Sequence, residues 1–337
     1  MNVRRRLALL SFGGTISQQS GPGGPSAPGF DVRRLTTSIL DLDVEVEHHV
    51  VAQIGSKDVQ PAHWIRATNL VTELLDRPDP PIDGVVLLHG TDTLHYTAAA
   101  LSFALRAPDV PVVLTGSMRP GGDDGSDARA NLRASVVAAC DPRLRGVSIV
   151  FSDRDDLTRA TILAGTNARK THSSSPAAFG PYEVANLGHV EQDEVRLAWG
   201  PPRRAREPLP SAAFDSRVPI LKASPGLGAD HLTAVLALSS GLVIEGTGVG
   251  HVPTSWIPAL AGFPGPIVAA TQVAAGGERL GAYRGDRELL DLPNVMPAGR
   301  MSSETAQVKL MWALAHPRAA VDAIMRRDVC GEMATRT

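Results

Sequence analysis

Residues 84–94 read Gly-Val-Val-Leu-Leu-His-Gly-Thr-Asp-Thr-Leu. Val85, Val86, Leu87 and Leu88 form a continuous apolar run without period-two alternation, the pattern of a parallel strand buried on both faces. His89-Gly90 ends the run, and Thr91-Asp92-Thr93 opens an Ala- and Leu-rich stretch, Tyr96 to Leu105, that reads as a helix. Hydroxyls and a carboxylate therefore stand at the carboxyl end of a buried strand and the amino end of a helix, where α/β sheets hold their ligands. Asp and Thr at a helix start also act as plain caps for orphan backbone donors, so this stretch alone leaves two readings open. A second occurrence of the arrangement favours the functional one. Leu7 to Phe12 is again an apolar strand, and it runs into Gly13-Gly14-Thr15-Ile16-Ser17. Two glycines permit a sharp turn and close approach to a ligand, leaving the Thr15 hydroxyl just past the strand end. Thr15 and Thr91 form a candidate reactive pair.

The flanking sequence repeats this alternation. Gln18 to Gly29 is too rich in Gly, Pro and Ser for a helix or central strand, and reads either as a solvated loop or as a mobile lid beside Thr15. Asp31 caps a helix running to about Leu40. Val44 to Ile54 reads as a strand ending in the polar loop Gly55-Ser56-Lys57-Asp58, and Pro61 to Leu75 as a helix. Val110 to Leu114 is a short strand that ends in Thr115-Gly116-Ser117-Met118-Arg119-Pro120. Ser126 to Cys140 is a helix capped by Ser126 or Asp127, and Gly146 to Phe151 a further strand. A polar stretch, Asp153 to Ser175, carries Lys170. The alternation predicts an α/β fold whose large N-terminal domain is a doubly wound, mainly parallel sheet. The Arg- and Pro-rich run Pro201 to Pro210 reads as a linker. The expected organisation is an N-terminal domain over residues 1–200, a linker at 201–215 and a smaller C-terminal α/β domain over 216–337. In the latter, Pro219 to Leu221, Gly241 to Glu245 and Pro266 to Ala270 read as strands, and Ser303 to His316 and Pro317 to Arg327 as amphipathic helices. Gly246, Gly248 and Gly250 lack the spacing of a dinucleotide fingerprint and read as a packing turn.

Composition narrows the function. A chain of 337 residues suits two domains, and 43% hydrophobic with 20% charged residues is ordinary for a soluble globular protein. The net charge of -2 gives no basis for binding nucleic acid or an anionic membrane. Cys140 and Cys330 have no metal spacing and read as reduced thiols. Arg4-Arg5-Arg6 before Leu7 to Leu10 resembles a signal peptide, but the apolar part is short and no cleavage site precedes Gly13. No apolar run approaches the roughly 20 residues that span a bilayer, so a cytoplasmic protein is expected. The histidines show no metal-ligand spacing, and HExxH, CxxC, Walker and GxSxG patterns are absent. Hydroxyls, Asp92 and Lys170 remain. A threonine hydroxyl needs an adjacent base to attack; lysine serves when its surroundings lower its pKa, and a carboxylate orients it. Thr91, Asp92 and Lys170 then form a relay, Thr15 attacks, and backbone amides of the glycine turn and helix start hold an oxyanion. Such a set implies acyl transfer, most simply amide hydrolysis.

Gly13-Gly14-Thr15-Ile16, His89-Gly90-Thr91-Asp92-Thr93-Leu94, Thr115-Gly116-Ser117-Met118-Arg119-Pro120 and Ser126-Asp127-Ala128-Arg129-Ala130-Asn131-Leu132, with Gly55-Ser56-Lys57-Asp58 and Arg169-Lys170-Thr171 in order, resemble the bacterial-type L-asparaginase (asparaginase/glutaminase) family over essentially the whole chain. The resemblance implies a homodimer or homotetramer with sites completed at the intimate dimer interface, and no cofactor or metal. It assigns Thr15 as the nucleophile, forming an aspartyl ester that water hydrolyses with loss of ammonia, and Thr91, Asp92 and Lys170 as a second triad. Asp92 would hold the substrate's α-ammonium and Ser56 its α-carboxylate, with Ser117 and Gly90 lining the amide pocket. Two departures stand out. The lid, Ser17 to Phe30, carries no tyrosine where the family often uses one against the nucleophile; Ser26 or Phe30 lies nearby, and either another residue, Tyr283 being one candidate, replaces it or the first triad is weakened. Lys57 follows the substrate-binding serine where a neutral side chain is usual, and reads as a contact to the α-carboxylate, as a mark of a changed substrate, or as plain surface. Glu288 is the nearest match to the acidic residue a neighbouring subunit supplies in some relatives. The expected activity is asparagine amidohydrolysis with some glutamine turnover. The alternatives are an amidohydrolase or acyl transferase acting on another amide or ester of an amino-acid derivative, and an inactive binding or regulatory relative. The transfer RNA amidotransferase subunit of this fold is a weaker expectation, because its extra N-terminal domain has no room before Leu7.

Overall fold

The computed structural model describes residues 4–20, 27–28, 30–106, 108–198, 212–281, 283, 286–317 and 320–333. The chain divides into two compact units, Met1–Pro181 with Asn186–Ala212, and Tyr182–Ala185 with Ala213–Thr337. The Pro201 to Pro210 run lies outside the described residues, as do residues 21–26 and 29 of the lid.

The first unit comprises β1 (Arg5–Ser11), β2 (Gln18–Gln19), β3 (Ala27–Pro28), β4 (Val44–Val50), α1 (Pro61–Leu75), β5 (Gly84–Leu88), α2 (Leu94–Leu105), β6 (Pro111–Thr115), α3 (Ala128–Ala139), β7 (Gly146–Ser152), β8 (Arg159–Ala164), β9 (Ala168–Lys170), β10 (Phe179–Pro181), β11 (Gly188–Glu191) and β12 (Glu194–Leu197). Eight strands form one sheet in the order β12-β11-β8-β7-β6-β5-β1-β4. The pairs from β4 to β7 are parallel, and β8, β11 and β12 extend the sheet antiparallel. Every residue of β5 and β6 is buried, which is why neither alternates. Leu7, Leu9, Val86, Leu88, Val113 and Val150 pack with Leu132 and Val136 of α3.

Strand order fixes where a ligand can sit. The second parallel strand of the chain, β4, lies on one side of β1 and the third, β5, on the other. Successive connections leave this point in opposite directions and open a crevice beyond the carboxyl ends of β1 and β5. Ser11 is level with Leu88, and Leu88 with Thr115, so β1, β5 and β6 end on one line.

Several expected elements differ in detail. The segment after Asp31 is a 3-10 helix, Val32–Ile39, with the Asp31 carboxylate accepting from Arg33 N at 3.0 Å. The hydroxyls of Thr36, Thr37 and Ser38 donate to carbonyls three residues back, contacts suited to the tighter winding. β4 stops at Val50. Beyond it Val51 N and Ala52 N share the Ser11 carbonyl and Ile54 N reaches Phe12 O, so the chain follows β1 without a regular ladder. The polar stretch 153–175 contains β8 and β9, which sequence pattern does not separate.

The second unit holds β13 (Ile220–Lys222), α4 (Ala229–Ala237), β14 (Leu242–Gly246), α5 (Ile257–Ala261), β15 (Ile267–Thr271), α6 (Arg287–Leu290), β16 (Val295–Pro297), α7 (Ser303–Leu314) and α8 (Val321–Arg326). Its four strands are parallel in the order β13-β14-β15-β16. The helix α7 is not amphipathic as expected. Ser303, Thr305, Ala306 and all of Val308 to Ala313 are buried, including Lys309, whose ammonium meets the equally buried Glu332 at 2.6 Å. Gly246 to Gly250 close a tight turn in which Thr247 pairs with His251. Cys140 and Cys330 are free thiols. No helix among the described residues is long and apolar enough to cross a membrane.

Candidate active site

Three glycine-bearing turns meet at the switch point. Gly14 has φ 84° and ψ -168°, a region open essentially to glycine alone. A Cβ there would fall on the backbone of Gly90, and one on Gly90 would come within 2.8 Å of Ser56 Oγ. The turns after β1, β4 and β5 are therefore packed backbone to backbone, and glycine is what lets them close. Thr15 opens a single 3-10 turn, Thr15–Ser17, and its carbonyl accepts from Gly121 N at 3.2 Å. The half-buried Thr15 hydroxyl has no hydrogen-bond partner among the described residues.

On the neighbouring turn Lys170 Nζ donates to Thr91 Oγ1 and to Asp92 Oδ1, each at 2.8 Å. Lys170 ends β9, a strand held by β10 through Lys170 opposite Phe179, and its side chain is 15% exposed against 66% for Asp92. One end of this pair is thus anchored in protein and the other opens to solvent, as a site that admits a small polar molecule requires. Ser56 is buried, and its hydroxyl accepts from Asp92 N at 3.2 Å and lies 3.5 Å from Asp92 Oδ2. Thr93 Oγ1 donates to Ser56 O at 2.7 Å. Ser56, Thr91, Asp92 and Lys170 are therefore one connected cluster, bordered by Gly90.

The remaining candidates are placed differently. Ser117 is fully buried and donates to Arg119 O at 2.6 Å. Lys57 is exposed, and its ammonium pairs with Asp58 at 2.8 Å; among the described residues it joins none of the cluster. Tyr283 and Glu288 belong to the second unit. Tyr283 is exposed with its ring 5.1 Å from that of His251, and His251 Nδ1 lies 2.6 Å from Asp286. Glu288 is exposed on α6.

Of the two expected caps, Ser126 accepts from Ala128 N at 3.2 Å, whereas Asp127 makes no capping bond to α3. Its fully buried carboxylate accepts from Met118 N and Arg119 N, each at 2.9 Å, and from Asn131 Nδ2 at 3.0 Å. Asn131 Nδ2 also donates to Gly116 O at 3.0 Å, while its Oδ1 accepts from Ser152 N and Oγ. The pair holds the turn after β6 from beneath. An Asp and an Asn four residues apart at a helix start are the available signal, since that spacing puts both on one face. No group of three or more His, Cys, Asp or Glu side chains able to hold a metal occurs among the described residues.

Residues 6–203 match the family model for the asparaginase N-terminal domain, and residues 217–325 that for the glutaminase/asparaginase C-terminal domain. The chain is 34% identical to an L-asparaginase of Thermococcus kodakarensis, over 97% of this chain and 99% of the relative. It is also 34% identical to a glutamyl-tRNA(Gln) amidotransferase component of Aeropyrum pernix, over 99% of this chain and 81% of the relative. The solved structure of the thermostable Thermococcus kodakarensis L-asparaginase superposes with a TM-score of 0.88, covering 98% of this chain and 99% of that one. A probable cytoplasmic L-asparaginase of Campylobacter jejuni shares the fold with a TM-score of 0.79 at 24% identity, covering 96% of this chain and 100% of that one. The chain belongs to the asparaginase family of amidohydrolases, enzymes that act on linear amide C–N bonds.

Proposed function

We propose that this protein hydrolyses L-asparagine to L-aspartate and ammonia, with some turnover of L-glutamine, in the cytoplasm and as a homodimer or dimer of dimers. The Thr15 hydroxyl attacks the side-chain amide carbon, forming a β-aspartyl ester. Its proton passes to the departing amide nitrogen, which leaves as ammonia, and water then hydrolyses the ester and returns the proton to Thr15. Lys170, oriented by Asp92, serves Thr91 as the base of the second relay. Asp92 and Ser56 hold the α-ammonium and α-carboxylate, and Ser117 and Gly90 line the amide pocket. Lys57, through its pair with Asp58, adjusts the charge at the pocket's rim.

The observation that carries this reading is the single ammonium of Lys170 bonded at 2.8 Å to both Thr91 Oγ1 and Asp92 Oδ1, on the turn that abuts Gly14. A half-buried lysine touching both a hydroxyl and its neighbouring carboxylate is the arrangement an activated hydroxyl needs. The similarity to an amidotransferase component supports a second reading, in which the amide acted on belongs to a different amino-acid derivative. Ammonia release from L-Asn, L-Gln, D-Asn and β-aspartyl or N-acyl amides, with Thr15→Ala alongside, separates the two. Turnover of L-Asn that vanishes in Thr15→Ala is expected; silence on L-Asn with turnover of another amide would move the assignment to the second reading.

A further inference from the structure

Resting on that reading, we infer that His89 is a positioning residue for the reaction, holding the Gly90–Thr91 peptide so that the Thr91 N–H is presented as a donor. His89 follows the last residue of β5 and is completely buried. Its Nδ1 lies 2.7 Å from Gly90 O and its Nε2 3.0 Å from Thr97 Oγ1 on α2, and Trp64 Nε1 on α1 lies 3.0 Å from the same hydroxyl.

Donor chemistry fixes two of the bonds in this chain, and the neutral state of the buried ring fixes the third. An indole N–H only donates and a carbonyl oxygen only accepts. Thr97 Oγ1 therefore accepts from Trp64, and Nδ1 must carry the proton given to Gly90 O. Burial pushes the imidazole pKa down to about 4, so the ring is neutral at working pH. Nε2 is then bare and accepts the one hydroxyl proton of Thr97. A ring-flipped state would lose the partners of both nitrogens. A doubly protonated ring could also donate to Thr97, whose hydroxyl can accept twice, and it is burial that excludes it.

The consequence falls on the adjoining amide. In a planar trans peptide the C=O and the next N–H point in opposite directions. Drawing the Gly90 carbonyl toward the buried imidazole turns the Thr91 N–H away from it. That N–H has no partner among the described residues, whereas the next amide, Asp92 N, is already bound to Ser56 Oγ at 3.2 Å. Freedom of the Gly90 peptide to rotate is the hazard, because glycine has no Cβ to restrict it. His89 removes that freedom, and the fixed donor is aligned before charge develops on the substrate oxygen.

Two substitutions separate positioning from mere packing. The amide nitrogen of Asn occupies roughly the place of Nδ1, so His89→Asn keeps the bond to Gly90 O and loses the one to Thr97. The amide of Gln reaches the place of Nε2, so His89→Gln keeps the Thr97 contact and loses Gly90. The expectation is that His89→Gln lowers kcat about 10- to 100-fold, with KM moved less than about threefold, since a misaligned donor acts on the transition state. His89→Asn should stay within about fivefold of wild type. Equal losses in both, tracking thermal stability, would overturn the inference. Independently of any turnover, 15N-histidine NMR of the wild type, with the His89 signal identified by its loss in His89→Asn, should show a neutral Nδ1–H ring between pH 8 and 5. An Nε2–H ring would overturn the inference even in an active enzyme. A protein that releases ammonia from no amide, yet shows the Nδ1–H ring, would refute the functional reading and leave the geometry of His89 standing.

Discussion

Replacing Lys170 with Met tests the centre of the proposed chemistry, because it removes one ammonium and keeps the length of the stem. At 2.8 Å from Asp92, with an effective dielectric near 20, the gross attraction is about 6 kcal/mol. Asp92 is 66% exposed, so solvent screens most of this and the pair contributes about 1 kcal/mol or less to folding. The Tm should therefore fall by no more than about 4 °C. Loss of a general base costs about 10²- to 10⁴-fold in rate, equivalent to about 3–5 kcal/mol of transition-state stabilisation. A large fall in kcat with a nearly unchanged melt is the expected signature, read from ammonia release beside a circular-dichroism melt. Lys170→Arg sharpens the test. Arginine keeps the charge beside Asp92 but does not give up its proton in proteins, so it should restore stability and not kcat. Lys170→Met retaining more than about a tenth of wild-type kcat would refute the base role, since that lies well below the usual contribution. Full recovery in Lys170→Arg would reduce Lys170 to an electrostatic support.

Gly14→Ala should cost more than about 2 kcal/mol in urea unfolding and abolish activity, because it combines a forbidden backbone region with overlap on Gly90; a soluble, active variant would show that the turns are not locked together. The pH dependence of stability has a definite sign. His89 has its folded pKa lowered from 6.5 to about 4 by burial, so the unfolded chain binds the proton first and stability falls as pH drops through that window. The loss reaches about 3 kcal/mol near pH 4, and urea midpoints between pH 7 and 4 should fall less steeply in His89→Asn. In the second unit, Lys309→Met leaves the Glu332 carboxylate buried without its cation, a change expected to cost about 3–5 kcal/mol. The nearby Cys330 thiol, pushed well up by burial and by Glu332 and lowered only by Lys309, should then react more slowly with an alkylating reagent in the folded protein, and Lys309→Met combined with Glu332→Gln should recover part of the stability loss.

What can be read from sequence divides along a physical line. Gly84 to Leu88 and Leu7 to Phe12 announce themselves because a strand buried on both faces must be apolar throughout, and because the turn that follows must be glycine to approach its neighbour. Thr15, Thr91 and Asp92 stand within about six residues of a strand end, so a local pattern is enough to find them; Ser56 and Ser117 stand as close to one but are singled out only by the family resemblance. Lys170 is different. It reaches Asp92 across 78 positions, from a short strand, β9, whose sequence Ala168-Arg169-Lys170 is too brief and too polar for periodicity to reveal, so elimination of other bases and the family resemblance, not local pattern, single it out. Asp127 reads as a cap because the rule for helix starts is local, while the donors it satisfies, Met118 N and Arg119 N, come from the preceding turn. His89 reads as punctuation at the end of a strand. Its role emerges only when Thr97 and Trp64, on two separate helices, are found on the far side of the ring. For Asp127 and His89 the supporting role is defined by partners distant in sequence, while the turns they hold are visible locally. The supports of a site are therefore where a structure adds most to a sequence, and where substitutions that leave every reactive group intact should still lower the rate.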